Sequence, residues 1–507
     1  MSLDPINYFL DRITVYRLMV YVLRAMVGWA MILGFFKIIP FSPFQIFVSA
    51  AFLVSVCYLS NKIFSIIFKA PTNVESYNIT ALILCLIITP ALSPNNLLFM
   101  AIAGALAMGS KYIFAINKKH IFNPAAIAVV ITAFTISQGA SWWVGDLPMF
   151  PIVLISGLLI VKKIQRFGMV TTFLIFASLS VLLFDFLNNV NPITNLNILF
   201  LQSPLLFFTF IMFTEHFTTP QAQRMRIFYG ALIGLLFYPQ IHIGNTYLTP
   251  ELVLIIGNIF AYLVNPKYKF SLKLQNKTQI GSDIFDLSFN KPKEFEFIPG
   301  QYMEWTLPHD GSDFRGNRRY FTIASSPTEN VIRLGVKFSS SGSSFKRKLI
   351  DLSSDDKIVA TQLSGEFTLP KESHSRSVIF IAGGIGITPY RSMIKYLLDK
   401  KEQGSLTLIY SNKTEDEIVY KELFDEAEKK IGLKTIYTLT DEKSLPRDWK
   451  GRVGRVDENM IQQISDWEVA IYYLSGPHSL VSAFEKTLRG MGVSKRQIKI
   501  DFFPGYV

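Results

Sequence analysis

A glycine-rich turn in the C-terminal half has the residue types that bind a phosphate. The apolar run VIFIA leads into Gly383, Gly384 and Gly386, and Thr388 and Pro389 then open a stretch with helical spacing, YRSMIKYLLDK. Glycines lack Cβ atoms, so backbone N–H groups at the start of a helix can approach a pyrophosphate, while the threonine adds a hydroxyl and proline suits the first helical turn. Tight packing also selects glycine, so the turn indicates a phosphate site only together with its surroundings.

Several short motifs flank this turn in a definite order. In chain order they are PGQY (299–302), RRYFTIASSP (318–327), SGSSFKRKL (341–349), GEFTLP (365–370), YSNKTEDEI (410–418), SGP (475–477) and DFFPGY (501–506). Together with the glycine turn they resemble the ferredoxin–NADP reductase superfamily across residues 267–507. The resemblance implies an FAD-binding antiparallel β-barrel over 267–370 and a parallel α/β domain that binds NAD(P)H over 376–507.

The residue patterns agree with that division. Short alternating runs such as KFSLKLQ and IRLGVKF, with Gly, Pro and Ser between them, are typical of antiparallel strands. After Val378, strand-like runs alternate with amphipathic helical stretches such as EDEIVYKELFDEAEKK, which is typical of a parallel α/β domain.

The resemblance also assigns roles in flavin binding. In that superfamily an arginine neutralises the FAD pyrophosphate, an aromatic ring covers the isoalloxazine, and a hydroxyl hydrogen-bonds N5, where hydride arrives. Arg319, Phe321 and Thr322 match this segment, with Phe in place of Tyr and Tyr320 between them; with one inserted residue, Arg318 and Tyr320 match instead. Donors for the second FAD phosphate are implied at Gly342, Ser343 and Ser344.

On the nicotinamide side, Ser475, Gly476 and Pro477 replace the frequent CGP of the superfamily. Ser475 is thereby implied to line the nicotinamide pocket, with a polarity and size different from those of a thiol. Tyr506 is expected to stack on the flavin face that the nicotinamide must occupy and to move aside; a plain C-terminal aromatic residue is the alternative. With Thr322, these two residues form the predicted catalytic set.

Coenzyme choice depends on the residues after Tyr410. Ser411 and Lys413 are expected to contact the nucleotide, and Lys413 can meet the 2′-phosphate of NADPH, whereas Glu415 and Asp416 repel one. The pattern is closer to that of NADH-using members, so we expect NADH, with NADPH as the alternative.

The N-terminal half has a different composition. Its first 269 residues carry 16 Lys+Arg and 7 Asp+Glu, about 9% of the segment, whereas the other 238 residues carry 34 and 31, about 27%. Ten apolar runs within residues 1–265 predict a polytopic α-helical membrane domain. Fourteen basic residues fall between the runs on one side and only Lys37 on the other, which predicts a multi-pass protein of the cell inner (cytoplasmic) membrane with both termini in the cytoplasm.

An internal repeat divides this domain. A GAL segment at Gly104 precedes Asn123 by 19 residues, and a second at Gly230 precedes Thr249 by 19 residues. Five helices repeated in inverted orientation is a plan of transport folds. Chance matching of such short strings is the alternative.

Two longer segments, HIFNPAAIAVV and MFTEHFTTPQAQRMRIFYGALIG, resemble the membrane-subunit family shared by the Rnf complex and the sodium-pumping NADH:quinone reductase (the RnfD/NqrB family), over about residues 10–265. This resemblance implies ten helices, a flavin bound within the membrane and ion-coupled electron transfer. The family's SGAT-like segment, whose Thr holds FMN covalently, is replaced here by SQGASWWVGDLPMF. A second flavin, riboflavin or FMN, is therefore expected to be non-covalent.

Ionisable residues within apolar segments indicate function by default. Glu215 and His216 lie just before the TTP segment and are expected to bind a flavin edge or to take part in proton movement; an interfacial pair facing water is the alternative. Arg24 is expected to pair with Asp185 or to extend towards the interface.

Several classes of protein are disfavoured. The net charge of +12 divides into +9 (16 − 7) and +3 (34 − 31), so most of the basic excess lies between apolar segments, which argues against nucleic-acid binding. Both cysteines, Cys57 and Cys85, lie in apolar runs and provide no iron–sulfur ligand set, and we expect no metal site.

The sequence thus predicts a membrane-bound NAD(P)H dehydrogenase that passes hydride to FAD and electrons to a quinone, a membrane flavin or an extracytoplasmic carrier, with ion coupling left open. One rival is a transporter or channel regulated by a nucleotide-binding flavin domain. Another is a haem-type transmembrane ferric reductase, which needs pairs of facing histidines. The N-terminal half offers only His120, His216 and His242, each near the end of a run.

Overall fold

The computed structural model describes residues 13–68, 74–116, 119–265, 268–309, 317–338, 342–354, 356–369 and 376–501, together with residues 6, 9, 10, 311 and 313. The chain divides into two units, and the division falls after Asn265. The first unit is helical and the second contains two six-stranded sheets.

The helices of the first unit are α1 Val15–Phe35, α2 Pro43–Ile67, α3 Val74–Ile87, α4 Pro94–Ile113, α5 Pro124–Ile136, α6 Phe150–Ile164, α7 Phe167–Leu187, α8 Pro192–Leu201, α9 Leu205–Met212, α10 Gln223–Leu236 and α11 Pro250–Val264. Two short hairpins join some of them, β1 Ala115–Ile116 with β2 Lys119–His120 and β3 His242–Ile243 with β4 Thr246–Tyr247. Four helices begin with a capping side chain followed by proline, the capping residues being Ser42, Ser93, Asn123 and Asn191. This pairing satisfies a free N–H and fixes φ at the helix start. The last five residues of α9 are wound as a π-helix.

Five helices among the described residues are long and apolar enough to cross a membrane, or six if α8 and α9, which are bent by 56° at their junction, form one span. Three further apolar helices are shorter, at Glu75–Ile87, Pro124–Ile136 and Pro250–Val264. A helix of that length does not cross about 30 Å of hydrocarbon by itself. The helical N-terminal region is confirmed, whereas the count of ten spans stays a prediction.

The two GAL segments lie at close helix contacts. A Cβ at Gly104 of α4 would lie 2.9 Å from Val56 Cγ1 of α2, and a Cβ at Gly230 of α10 would lie 2.7 Å from the Met169 carbonyl oxygen of α7. In each predicted half, the glycine of the fourth helix thus allows close packing on the second. Inversion of the repeat stays a prediction.

The second unit begins with an antiparallel sheet of β5 Lys269–Gln279, β6 Ile284–Asn290, β7 Tyr302–Thr306, β8 Arg318–Thr322, β9 Val331–Lys337 and β10 Lys357–Ser364, in the order β8-β7-β10-β5-β6-β9. Helix α12, Ser344–Ile350, lies between β9 and β10 in the chain. The Ala324 N–H donates to the Arg333 carbonyl at 2.9 Å, which brings the two edge strands together. Closure into a complete barrel stays a prediction.

The other sheet is parallel, with β11 Val378–Gly383, β12 Leu406–Asn412, β13 Lys434–Leu439, β14 Arg452–Val453, β15 Ile471–Ser475 and β16 Ile498–Ile500 in the order β14-β13-β12-β11-β15-β16. Its helices are α13 Thr388–Lys400, α14 Lys421–Ile431, α15 Glu458–Gln462 and α16 His478–Gly490. Every residue of β11 is buried, as expected for a central strand without polar alternation. The carboxyl ends of β11, β12 and β15 therefore bring the predicted nucleotide residues to one edge.

Candidate active site

Strand β8 and helix α12 bring the predicted flavin residues together. Because side chains alternate along a strand, Arg319 and Phe321 share a face. The Arg319 guanidinium lies 5.4 Å from the Phe345 ring, and the rings of Phe321 and Phe345 are 6.0 Å apart. Phe345 lies in the first turn of α12, so a buried cation stands beside the start of this helix. A buried cation at the positive end of a helix is what an anionic pyrophosphate requires, and these residues fit it.

The three residues predicted to bind the second phosphate are partly engaged with other groups. The Ser343 hydroxyl caps α12 by accepting the Lys346 N–H, and the Gly342 carbonyl accepts from Arg347 at 2.7 Å. The Ser344 N–H donates to the Asp313 carboxylate at 2.9 Å. A bound pyrophosphate must therefore share this N–H with Asp313 or replace it, which the sequence did not indicate.

The alternative register places its residues on the opposite face of β8. The Tyr320 hydroxyl donates to Glu304 Oε2 at 2.9 Å, and Arg318 Nη1 lies 3.5 Å from Glu304 Oε1. Arg318 is thus paired with a buried carboxylate, whereas Arg319 faces α12. Thr322 is buried and pairs across the strands with Tyr302. This arrangement favours Arg319 as the phosphate-binding arginine.

The glycine-rich turn after β11 lies against the SGP segment after β15. A Cβ at Gly386 would lie 2.5 Å from the Ser475 carbonyl oxygen, and one at Gly383 would lie 2.6 Å from Leu480 Cδ1. Gly476, at φ +150°, packs on the Gly383 backbone. Close packing therefore explains these glycines. Gly384 differs, because its φ is +52° and a Cβ there would meet open space, so it is the glycine whose backbone best suits a phosphate.

Thr388 and Pro389 begin helix α13. Pro389 stands in the first turn, as expected. The Thr388 hydroxyl donates to the Ile385 carbonyl at 3.3 Å, and its methyl group faces Gly335 of β9. The predicted hydrogen bond from this hydroxyl to a phosphate thus competes with a bond inside the turn.

Ser475 is buried at the end of β15 and donates a hydrogen bond to Asp501 Oδ2 at 2.9 Å. Burial raises the pKa of Asp501 to about 7, and the bond from Ser475 acts in the opposite direction. Asp501 is a site residue that the sequence analysis did not assign, although it opens the DFFPGY motif. Pro477 packs 3.3 Å from a Cβ position at Gly383. Tyr506 lies outside the described residues.

The turn after β12 carries the residues predicted to select the coenzyme. Ser411 is buried within β12, and the Lys413 N–H donates to Glu417 Oε2 at 3.3 Å. Glu417 Oε1 also pairs with Lys337 Nζ at 2.6 Å. Glu417 is therefore an additional acid at this turn, beside the Glu415 and Asp416 that the sequence indicated.

In the helical unit, the HIFNP and TEHFTTP segments meet at Glu215. Its Oε2 accepts from Asn123 Nδ2 at 2.8 Å and from the Thr218 hydroxyl at 3.1 Å, and its Oε1 lies 3.4 Å from His120 Nε2. The Asn123 N–H donates to Asn258 Oδ1 of α11 at 2.7 Å. One polar cluster therefore contains residues of both segments.

Other ionisable residues of this unit have partners outside the Glu215 cluster. The His216 Nδ1 lies 2.7 Å from a guanidinium nitrogen of Arg166. Arg24 is exposed, whereas Asp185 accepts from Asn195 at 3.0 Å and from the Tyr238 hydroxyl at 3.1 Å. The ion pair between Arg24 and Asp185 is therefore not formed, and the exposure of Arg24 agrees with the alternative, extension towards the interface.

The comparisons with known proteins concern the second unit. The family model described as the oxidoreductase NAD-binding domain matches residues 380–486. A flavohemoprotein of Bacillus cereus is 25% identical over 234 residues, which cover 44% of this chain and 58% of the relative. A nitrate reductase [NADPH] of Emericella nidulans is 28% identical over 256 residues, which cover 45% and 29%. The chain thus spans only part of the length of these curated relatives.

Among solved structures, the flavohem-like FAD/NAD binding domain of a nitric oxide dioxygenase from Vibrio cholerae is 20% identical, with a TM-score of 0.41, and the match covers 46% of this chain and 98% of that chain. The relatives found by sequence are FAD- and NAD(P)H-dependent oxidoreductases in the part that they share with this chain. The second unit therefore contains an NAD-binding domain of the oxidoreductase type, and FAD and NAD(P)H are its cofactors.

Proposed function

We propose that the protein is a membrane-bound NAD(P)H dehydrogenase that passes hydride from NAD(P)H to FAD and electrons onward, into or across the membrane, to a quinone, a membrane flavin or an extracytoplasmic carrier. One observation carries the proposal. The chain combines a reductase module with a helical unit whose described residues include five or six helices of membrane-spanning length. We place the protein in the cytoplasmic membrane with both termini in the cytoplasm, on the distribution of its basic residues.

Within the reductase unit, Arg319 and the start of α12 bind the FAD pyrophosphate, and the half-buried ring of Phe321 covers the isoalloxazine. Bound FAD supplies a group that accepts two electrons as hydride and releases them singly. The buried Thr322 hydroxyl is the proposed donor to N5. Arg319 thus binds the anionic part of the cofactor while Phe321 and Thr322 orient its reactive ring.

The nicotinamide nucleotide is placed at the ends of β11 and β15. Gly384 and the start of α13 receive the pyrophosphate, and the Ser475 hydroxyl, oriented by Asp501, lines the nicotinamide position. The acids after β12 repel a 2′-phosphate, so we propose NADH as the preferred coenzyme. On the sequence motif alone, we also propose that Tyr506 stacks on the flavin face that the nicotinamide must occupy.

For the helical unit we propose an RnfD/NqrB-type domain with a five-plus-five inverted repeat. The meeting of its two signature segments at Glu215 supports this assignment, because segments 92 residues apart form one polar cluster. We propose that this cluster serves electron transfer by binding a non-covalent flavin or by moving a proton when an electron arrives nearby.

The test is to purify the full chain in detergent, extract its flavins and record the absorbance anaerobically before and after adding NADH. We expect one FAD plus one riboflavin or FMN per chain, both reduced by NADH, without a Soret band. FAD alone would contradict the membrane flavin and favour direct quinone reduction or a regulated transporter. Absence of NADH oxidation in a preparation that retains FAD would contradict the dehydrogenase itself.

A further inference from the structure

Helix α13 is tied to the turn after β8 by a buried ion pair. Arg391 Nη2 donates to Glu329 Oε1 at 2.9 Å, and Nη1 contacts Glu329 Oε2. Nη1 also donates to the Ala324 carbonyl at 3.0 Å. Only 8% of Arg391 is exposed, so the two-pronged pair lies out of water. The guanidinium therefore holds both a carboxylate and a backbone group of the antiparallel sheet domain.

Further bonds join the same two surfaces. The fully buried Ser392 hydroxyl donates to the Ser325 carbonyl at 2.6 Å. The Tyr420 hydroxyl, just before α14, donates to Asp286 Oδ2 of β6 at 3.0 Å, and Arg333 of β9 pairs with Asp286 Oδ1 at 2.9 Å. These groups and the Arg391–Glu329 pair are here called the interdomain clamp.

The position of the clamp along the chain relates it to the site. Ala324 follows Thr322 by two residues, and Arg391 follows Pro389 by two residues. The clamp thus connects the end of the proposed flavin strand with the first turn of the helix that follows the nucleotide turn. Movement at this contact changes the separation between the two binding sites directly.

The electrostatics favour a fixed geometry. Burial alone raises the pKa of Glu329, but the hydrogen bonds and charge of Arg391, with smaller contributions from the Ser326 N–H and from Arg333 at 3.5 Å, outweigh it and hold the pKa below its usual range. A buried ion pair adds little net stability, because both charges lose their hydration, yet removal of one partner leaves the other uncompensated. Such a pair therefore determines the relative position of the two surfaces more than it adds to the stability of the folded chain.

We propose that Arg391 is a positioning residue for hydride transfer, which with Glu329 fixes the separation of nicotinamide and flavin. The proposal rests on the proposed dehydrogenase function. In that step the hydride leaves C4 of NAD(P)H, which becomes NAD(P)⁺, and its electron pair forms the new bond to N5. Because reacting atoms must approach to about 3–3.5 Å, a displacement of about 1 Å at the clamp is enough to slow the step about 100-fold.

The kinetic test uses the full chain loaded with FAD and two conservative variants, Arg391→Lys and Glu329→Gln. Anaerobic stopped-flow mixing with NADH and with its 4-deuterated form measures the hydride rate, the isotope effect and the nicotinamide–flavin charge-transfer absorbance. We expect the rate to fall about 10- to 100-fold and the charge-transfer band to weaken, with a KM change under about twofold. The control, Lys430→Ala, removes an exposed pair with Glu426 within α14 and is expected to leave all three unchanged.

Hydrogen exchange provides a readout that does not depend on turnover. In both variants, peptides covering residues 323–333 and 388–400 are expected to exchange faster than in the wild type, at equal FAD content, while the rest of the parallel sheet is unchanged. An unchanged hydride rate, or a slower rate without faster exchange in these peptides, would overturn the proposal. If the wild type fails to oxidise NADH, the dehydrogenase proposal fails while the exchange result still decides whether the clamp holds the two surfaces together.

Discussion

The two units bury charged groups beside different kinds of partner. In the helical unit, the Lys111 ammonium donates to the hydroxyl and carbonyl of Ser76, at 2.9 and 3.0 Å, and the Glu251 carboxylate accepts from the Trp142 indole at 2.9 Å. These partners are neutral dipoles. They satisfy the hydrogen-bonding capacity of the charged group without cancelling its charge.

In the reductase unit, two ion pairs bring opposite charges together, Arg391 with Glu329 and Lys337 with Glu417. Both pairs join the antiparallel sheet domain to the parallel one. An ion pair fixes two segments against each other. A charge held by dipoles is not cancelled, so it still interacts with a charge that appears nearby. The two ion pairs therefore align the domains of the reductase unit, whereas Lys111 and Glu251 of the helical unit are held by dipoles.

The largest expected effect distinguishes Arg319, the proposed FAD-binding arginine, from Arg318, which pairs with Glu304. Arg319→Ala removes the guanidinium beside α12, so we expect at least about tenfold less FAD in the purified chain and no NADH oxidation, since a charge-assisted hydrogen bond contributes about 1.5–3 kcal/mol. The matched control is Arg318→Ala, which breaks the pair with Glu304 and is expected to retain FAD. The opposite outcome, FAD lost from the Arg318 variant alone, would assign the alternative register.

The next effect concerns Glu215, whose contacts include neutral amide and hydroxyl groups. Glu215→Gln keeps the size of the side chain and removes its charge. We expect NADH-dependent reduction of ferricyanide to be unchanged and reduction of a membrane quinone to fall about tenfold, equivalent to about 1.4 kcal/mol of barrier. Asp146→Asn, an exposed acid before α6, is the control. Equal quinone reduction in wild type and the Glu215 variant would remove this cluster from the electron path.

The smallest effect is a pH dependence at Asp501. The folded pKa of about 7 lies above the ordinary value of 3.8, so the folded chain binds this proton more tightly than the unfolded chain. The resulting stability is fully present below about pH 4 and is lost as pH rises to about 7. We expect Asp501→Asn to flatten this slope, measured as the temperature of FAD release between pH 5 and 7.5. As the control, Asp448→Asn changes an exposed acid and should leave the pH slope as in the wild type. An unchanged slope in the Asp501 variant would show that Asp501 does not cause this pH dependence.

The order of apolar, glycine and proline residues predicted the strands and helix starts that depend mainly on neighbouring residues. The uninterrupted apolar run of β11, followed by glycines and a proline, indicated a central strand and a helix start, and both are present. The pattern could not tell whether the Thr388 hydroxyl binds a phosphate or the Ile385 carbonyl, because both bonds need the same residue in the same turn.

The contacts that the sequence did not reveal join distant segments. Arg391 and Glu329 are 62 residues apart, and Ser475 and Asp501 are 26 residues apart. Arg391 has the spacing of an ordinary helical residue within YRSMIKYLLDK, so nothing local marks it as buried. Ion pairs between domains follow from how two surfaces dock, and a single sequence without its fold contains no signal for that.

The π-helical end of α9 has a consequence for Glu215. A π-turn accommodates one residue more than an α-turn, and each residue of an α-helix advances the chain by about 100°. Rewinding the five residues Phe208–Met212 as α-helix, with no residue deleted, would rotate the following chain by about that angle. The Glu215 carboxylate would then point away from Asn123 although neither residue had changed. The direction of this carboxylate thus depends on the winding of a helix that contains no charged side chain.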